Sequence, residues 1–324
     1  MEGKVLSGRL FASYLALLLM SSATMILPLT SGFGDKDSTS STIVIYPSDD
    51  ATIEANHPNS STGSSKFLCV RNDYGEGGSS GWGWYTLIKF DISSIPSETV
   101  IASAKLKLYY HHWRDNNPKG HKLKLYRIME DWDEDTVTWN NSPERSLDSS
   151  SSSIVPYSTD TWIVWDVTED VQKFINGNLP NYGWEIVDIT YWGMPDIPTI
   201  YFCSKEYDDS DYIPYLEIKI DTTPPTVEIK KPDNGVYLFG SKILPFFVPV
   251  VIGNINIEVN AFDSDTGIKC VEIYIDDTLK ANITSEPFVW RWTERTFGRH
   301  TLKVVAFDNA GNKATDEIIV WKIL

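Results

Sequence analysis

Of 324 residues only three are cysteines, Cys69, Cys203 and Cys270, and their spacing matches no zinc-ligand pattern. Five histidines are present; His111 and His112, as neighbours on an extended strand, should point to opposite faces and be unable to act together. The chain holds no G-x-S-x-G, no H-E-x-x-H and no P-loop, and in so acidic a chain its paired carboxylates are too numerous to mark a glycosidase, so an enzyme is not expected. Positive charge is scarce as well: residues 42–221 carry 28 acidic against 14 basic side chains, while residues 222–324 carry 13 against 11. A phosphate backbone needs a basic face, so nucleic acid is excluded as a partner. After residue 34 no apolar run is long enough to span a bilayer; "ILPFFVPVVIG" (243–253) is short and holds two prolines.

One apolar run is long enough. Lys4 and Arg9 precede "LFASYLALLLMSSATMILPLTSGFG", uncharged from Leu10 to Gly34. Residues 1–34 therefore read as a signal peptide, cleaved after Ala23 or nearer Gly34, or as an N-terminal membrane anchor. Either places the rest of the chain outside the cell. The sequons at Asn59, Asn140 and Asn282 suit an exported protein. Residues 35–41 form a polar linker.

What is abundant is aromatic: 12 Trp, 16 Tyr and 13 Phe. From residue 42 to 220 short alternating runs such as "TLIKFDI", "SAKLKLYYHHW", "TWIVWDV", "TIYFCSK" and "YLEIKI" are separated by turn clusters, the pattern of an all-β sandwich or barrel. One short helix is predicted in "VTEDVQKFINGN", with Thr168 as N-cap and Gly177 at the stop. "DTTPPT" (221–226) reads as a stiff hinge, and residues 227–324 contain some seven strands, the size of an immunoglobulin-like sandwich.

Candidate ligand positions follow from alternation. Trp82 and Trp84 share parity with Ile88 and Phe90, so they either close the end of the sandwich or stand out as a sugar platform. In "AKLKLYYHHW" the residues Lys105, Lys107, Tyr109, His111 and Trp113 share a parity, and in "HKLKLY" so do Lys122, Lys124 and Tyr126. Joined by "RDNNPKG", the two runs should pair as a hairpin and gather a basic, aromatic face suited to an anionic polysaccharide, unless it is the ordinary lysine-decorated face of a sheet. Tyr191 and Trp192 are further aromatic candidates. Calcium is the one candidate ion, with Asp131, Asp133 and Asp135, or Glu206, Asp208, Asp209 and Asp211, as oxygen ligands. Cys69 and Cys203 lie in strand-like runs and would pair if those strands are neighbours. No organic cofactor is expected.

Five blocks in fixed order, "DATIEANHPNSSTG", "LIKFDISSIPSETVIASAKLKLYY", "YRIMEDWDEDTVTWNNSP", "WDVTEDVQKFINGNLPNYGWEI" and "FCSKEYDDSDYIPYLEIKI", make the first domain resemble the extracellular DNRLRE module, carbohydrate-binding module family 96. The resemblance implies a jelly-roll-type β-sandwich and a non-catalytic role in holding a secreted protein on polysaccharide, alginate-like uronates being the known substrate class. "DTTPPTVEIKKPDNG" and "GRHTLKVVAFDNAGN" make the second domain similar to bacterial and archaeal Ig-like repeats, which implies a spacer or adhesion module. A structural or adhesion component of the cell envelope, binding surface proteins, is the alternative reading.

Overall fold

The computed structural model describes residues 41–72, 74–75, 78–79, 81–191 and 196–324. The segment 1–34, most of the linker 35–41, and Trp192 lie outside the described residues. The first domain contains β1 (Ser41–Ile45), β2 (Asp49–Glu54), β3 (Phe67–Arg71), β4 (Trp84–Lys89), β5 (Ile101–Arg114), β6 (Lys122–Arg127), β7 (Ser151–Ile154), β8 (Thr161–Asp166), helix α1 (Thr168–Ile175), β9 (Trp184–Asp188), β10 (Thr199–Cys203) and β11 (Tyr215–Ile220). One layer is built on β5, which pairs with β8 along one edge and with β10 and β11 in series along the other; β3 and β1 extend it beyond those two. The other layer runs β2–β4–β9–β6–β7. Among the described residues a single pair, Arg71 opposite Trp84, joins the layers.

The alternation read from "AKLKLYY" is what forms the core: Ala104, Leu106, Leu108 and Tyr110 all point inward at 0% exposure. They meet Leu123, Leu125, Trp165, Trp184 and Ile186 from the rest of the sandwich. Along β2, β4 and β9 the second layer is buried on both faces. Ile88 enters the main core, while Leu87 enters a smaller cluster with Ala51, Ile53 and Ile128 that is roofed by Trp132 and Val137. The "WDEDTVTW" stretch is therefore a lid on the outer face of that sheet, fixed where Trp132 Nε1 donates to the Tyr182 carbonyl at 2.8 Å.

The helix forms where expected, but its cap differs. Thr168 is already helical, and Asp166 Oδ1 accepts both its backbone N–H and its hydroxyl, at 3.0 and 2.7 Å.

The second domain contains β12 (Thr226–Lys231), β13 (Val236–Leu238), β14 (Ser241–Leu244), β15 (Val250–Ile252), β16 (Ile255–Phe262), β17 (Ile268–Ile275), β18 (Thr278–Ile283), β19 (Val289–Trp292), β20 (Phe297–Asp308) and β21 (Lys313–Ile323). A three-stranded sheet β12–β16–β19 faces a seven-stranded sheet β14–β13–β15–β21–β20–β17–β18 across a core centred on Trp292. At the first residue of the "DTTPPT" segment the chain is held by hydrogen bonds. Asp221 is buried, its carboxylate accepts from Thr223 N and Thr266 Oγ1, and Asn312 Nδ2 donates to its carbonyl.

Candidate functional site

The pairing expected between the two lysine-bearing runs does not occur. β5 and β6 lie in opposite layers: β6 pairs with β9 and β7, and the "RDNNPKG" segment carries the chain from one sheet to the other. Lys105, Lys107 and Tyr109 therefore decorate one layer, and Lys122, Lys124 and Tyr126 the other. Alternation assigns a face to each side chain but does not choose the neighbouring strand.

A second correction arises within β5. The register against β10 shifts between Tyr201 and Phe202, which face His112 and Tyr110. One extra residue is accommodated there as a β-bulge, and alternation restarts beyond it. Tyr110 remains in the core, His112 joins the outer face opposite Tyr201, and Trp113 turns to the side of the buried Ile200, where it is 37% exposed. Trp113 is thus separated from Lys105, Lys107 and Tyr109. The same bulge brings the two histidines together, their Nδ1 atoms 2.9 Å apart, against the expectation that they point apart.

What the outer face of this layer presents is a continuous belt of rings. Tyr215 packs on Trp162 (centroids 4.9 Å apart), Trp162 on Tyr109 (5.3 Å), and Tyr109 on Tyr212 (4.3 Å). Tyr207 continues the belt to His111 at 5.6 Å and donates or accepts a hydrogen bond with its Nε2 at 3.1 Å. Phe67 contacts both histidines, and His112 stacks on Tyr201 at 4.2 Å and 12°. Tyr109 is the buried floor at 9% exposure, while the other rings are half-buried. Burial and then the negative charge of Asp160 hold the Tyr109 phenol above its ordinary value.

Charge is unevenly available along this belt. Lys107 lies over the Tyr215 ring and is paired with Glu217 at 2.9 Å. Lys105 stands between Asp166 and Glu217 in the ladder. At the other end Arg114 is exposed near Tyr201, and Arg71 is held by Asp115 and Thr199. Phe67, Trp162, Tyr201, Tyr207, Tyr212, Tyr215, Arg71 and Arg114 were not singled out by sequence reasoning. They come from strands and a loop far apart in the chain, and the only local signal was the density of aromatics at outward parity.

The remaining candidates are dispersed. Trp82 and Tyr191 are exposed at 51% and 69%. Trp84 is half-buried, its indole N–H donating to Asn56 and its ring 6.0 Å from the Arg71 guanidinium. In the opposite layer Lys124 lies over Tyr126, and Arg145 stacks on the same ring at 4.5 Å while pairing with buried Glu185 at 3.1 Å. Desolvation pushes the Glu185 carboxyl up to about 7.

The two acidic stretches serve mainly as turn and surface groups. Asp131 accepts from Lys89, Asp133 caps the N–H of Asp135, Asp208 pairs with Lys66, and Asp209 caps the N–H of Asp211. Glu206 differs: it converges with Asp50 and with Glu134, a residue inside the first stretch that sequence reasoning passed over. A second carboxylate group, Asp221, Asp263 and Asp308, lies at the start of the second domain.

The expected disulfide is not formed, although the strands are neighbours. Cys69 faces Tyr201 and Cys203 faces Phe67, so the cysteines are diagonal, about 7 Å or more apart. A disulfide needs Cβ atoms roughly 4 Å apart. Both thiols are buried, and desolvation pushes Cys203 up to about 12.

Comparison with known proteins adds two family matches. The model for carbohydrate-binding module family 96 matches residues 41–220, and that for a bacterial Ig domain matches residues 225–304. No curated protein matches. Among solved structures, the fibronectin(III)-like modules of Clostridium thermocellum CbhA are 20% identical, with 31% of this chain and 100% of that one covered and a TM-score of 0.25. An endo-beta-1,4-mannanase from Thermotoga petrophila is 10% identical over 32% of this chain, which spans 20% of the mannanase, with a TM-score of 0.21. A putative membrane anchored protein from Corynebacterium diphtheriae is 11% identical, with 87% and 59% covered and a TM-score of 0.21. Likenesses this weak decide nothing about ligand. Both matched families are of non-catalytic kinds typical of extracellular proteins. Among the described residues no helix is long and apolar enough to cross a membrane.

Proposed function

The chain belongs to carbohydrate-binding module family 96, and from that premise we propose that it is a secreted or cell-surface, non-catalytic protein that grips uronate-containing polysaccharide along the ring belt of β5. The Ig-like domain acts as its spacer. The observation that carries this reading is the belt itself: half-buried rings, fixed by one another and by a buried tyrosine floor, offer flat apolar faces to the C–H faces of sugars. Arg114 supports the preference for uronates. It is exposed near Tyr201, and its planar fork matches a carboxylate. Lys105 and Lys107 contribute less net field, because Asp166 and Glu217 lie beside them.

The test is affinity electrophoresis of the protein through gels containing alginate, pectate or neutral glucan, with and without calcium. Retardation by the uronates should fall about tenfold in Trp162→Ala or Tyr212→Ala. Arg114→Ala should lose the uronate preference. Equal retardation by neutral glucan would remove the acidic preference, and no retardation in any gel would remove the glycan reading.

A second reading is supported by the Ig-like domain, where Phe239, Phe247, Phe262 and Phe297 are exposed. Such rings suit docking on an envelope protein, an adhesion role that would persist if every gel gave no shift.

A further inference from the structure

We propose that Asp50, Glu134 and Glu206 form a calcium site that braces the ring belt from behind. The three residues come from distant parts of the chain: β2, the lid over the second layer, and the segment that follows β10. One carboxylate oxygen from each lies within 4.8 Å of the other two.

Acidic groups often cluster without an ion, so the partners of each oxygen decide the matter. Asp50 is 1% exposed; its Oδ2 accepts the Lys205 N–H at 2.8 Å, while its buried Oδ1 has no partner. Glu206 repeats the pattern: Oε1 meets Lys205 Nζ at 2.6 Å, and Oε2 is buried without a partner. Glu134 uses both oxygens, Oε2 accepting the Asp50 N–H at 3.0 Å and Oε1 meeting Lys205 Nζ at 2.8 Å. A carboxylate oxygen buried without a donor is costly, and two such oxygens in one space repel. Only a shared proton or a cation resolves this. In keeping with it, burial and then the charge of Glu206 raise the Asp50 carboxyl well above the usual carboxylate range, against the Lys205 N–H bond that lowers it.

Charge and chemistry select the cation. Three carboxylates and the Lys205 ammonium leave two negative charges, which one divalent ion neutralises. The donors are all oxygen, with no histidine or thiolate in the group, which points to a hard cation. Calcium accepts irregular sets of six to eight oxygens, whereas magnesium requires near-octahedral geometry and keeps its water. Lys205 and Glu206 also line a surface pocket of about 430 Å³ with Tyr46, Pro47, Ser210 and Ile213, so solvent reaches the group at Glu206. The second carboxylate group lacks this signature, since both oxygens of Asp308 accept from Asn312 and those of Asp221 from Thr223 and Thr266.

An ion here would tie the lid to β2 and to the segment that carries Tyr207 and Tyr212, whose rings belong to the belt. Thermal unfolding of the full chain, followed by tryptophan fluorescence in EDTA, calcium chloride or magnesium chloride, tests the proposal without any glycan. Calcium at a hundredfold excess over its Kd should raise the midpoint by about 5 °C over EDTA, and magnesium by less. Terbium should give sensitised luminescence that calcium displaces. Both effects should disappear in Asp50→Asn and persist in Asp263→Asn. Should Asp50→Asn fail to fold, Glu206→Gln, at a half-exposed position, is expected to weaken calcium at least tenfold. An unchanged midpoint in calcium, with stability gained only on acidification, would establish a shared proton and overturn the site. So would a calcium effect that survives in both site variants or disappears in Asp263→Asn.

Discussion

Gly183 shows how closely a single position can be fixed. Its φ is +80°, and an added Cβ would lie 2.1 Å from the Ile88 carbonyl oxygen on the neighbouring strand. Backbone meets backbone there, so no side chain can yield. Gly183→Ala is expected to cost about 3 kcal/mol or more, read as a lowered urea midpoint. Glu185 is the opposite case, a tolerated burden. Because desolvation raises its folded pKa to about 7, the native state binds more protons than the unfolded state between about pH 4.5 and 7. Its contribution to stability is full below that window and is lost as pH rises through 7. Glu185→Gln should flatten the slope and add at most about 3 kcal/mol at pH 8, measured by denaturant unfolding across pH. Such residues were only partly legible. Lys105 and Leu106 were assigned to the correct faces because a period of two needs no knowledge of neighbours. Glu134 was missed because its role depends on Asp50, which is distant in sequence.

Elements show where that local logic stops. β5 reads correctly through Tyr110 and then shifts by one, because a bulge is an added residue with no signature in side-chain type; Trp113 and His112 exchanged faces as a result. β6 was legible as a strand but not as a member of the opposite layer, because seven loop residues serve a hairpin and a crossover equally well. The belt showed in the sequence only as a density of outward aromatics, since Trp162, Tyr201, Tyr207 and Tyr212 become neighbours only after β8 and β10 flank β5. The helix offers a sharper test. Asp166 carries both hydrogen bonds at its start, so Asp166→Ala should cost about 1 kcal/mol, read as a lowered urea midpoint, while Thr168→Ala also loses the contact from Ala104 N.

For the whole molecule, the prolines of "DTTPPT" suggest a stiff joint, and its first residue is held by hydrogen bonds. Asp221 accepts two hydrogen bonds through its carboxylate and one through its carbonyl, two of them from Thr266 and Asn312 of the second domain. Asp221→Ala should therefore speed subtilisin cleavage within residues 221–226 several-fold while leaving the first domain's fluorescence unfolding unchanged, about 1–3 kcal/mol of local anchoring being lost.

The belt also has a length. From the level of Lys107, beside Tyr215, to that of Arg114, beside Tyr201, the strand advances roughly 23 Å. On the proposed reading a face of that extent would work as a ruler: short oligosaccharides would occupy part of it, and each added sugar would contribute until the last ring is covered. Affinity measured by calorimetry on size-graded oligomers should climb with chain length and then level off. Beyond that plateau a longer polymer gains only by offering more registers in which to settle, so the protein would grip the interior of a chain and take no notice of its ends.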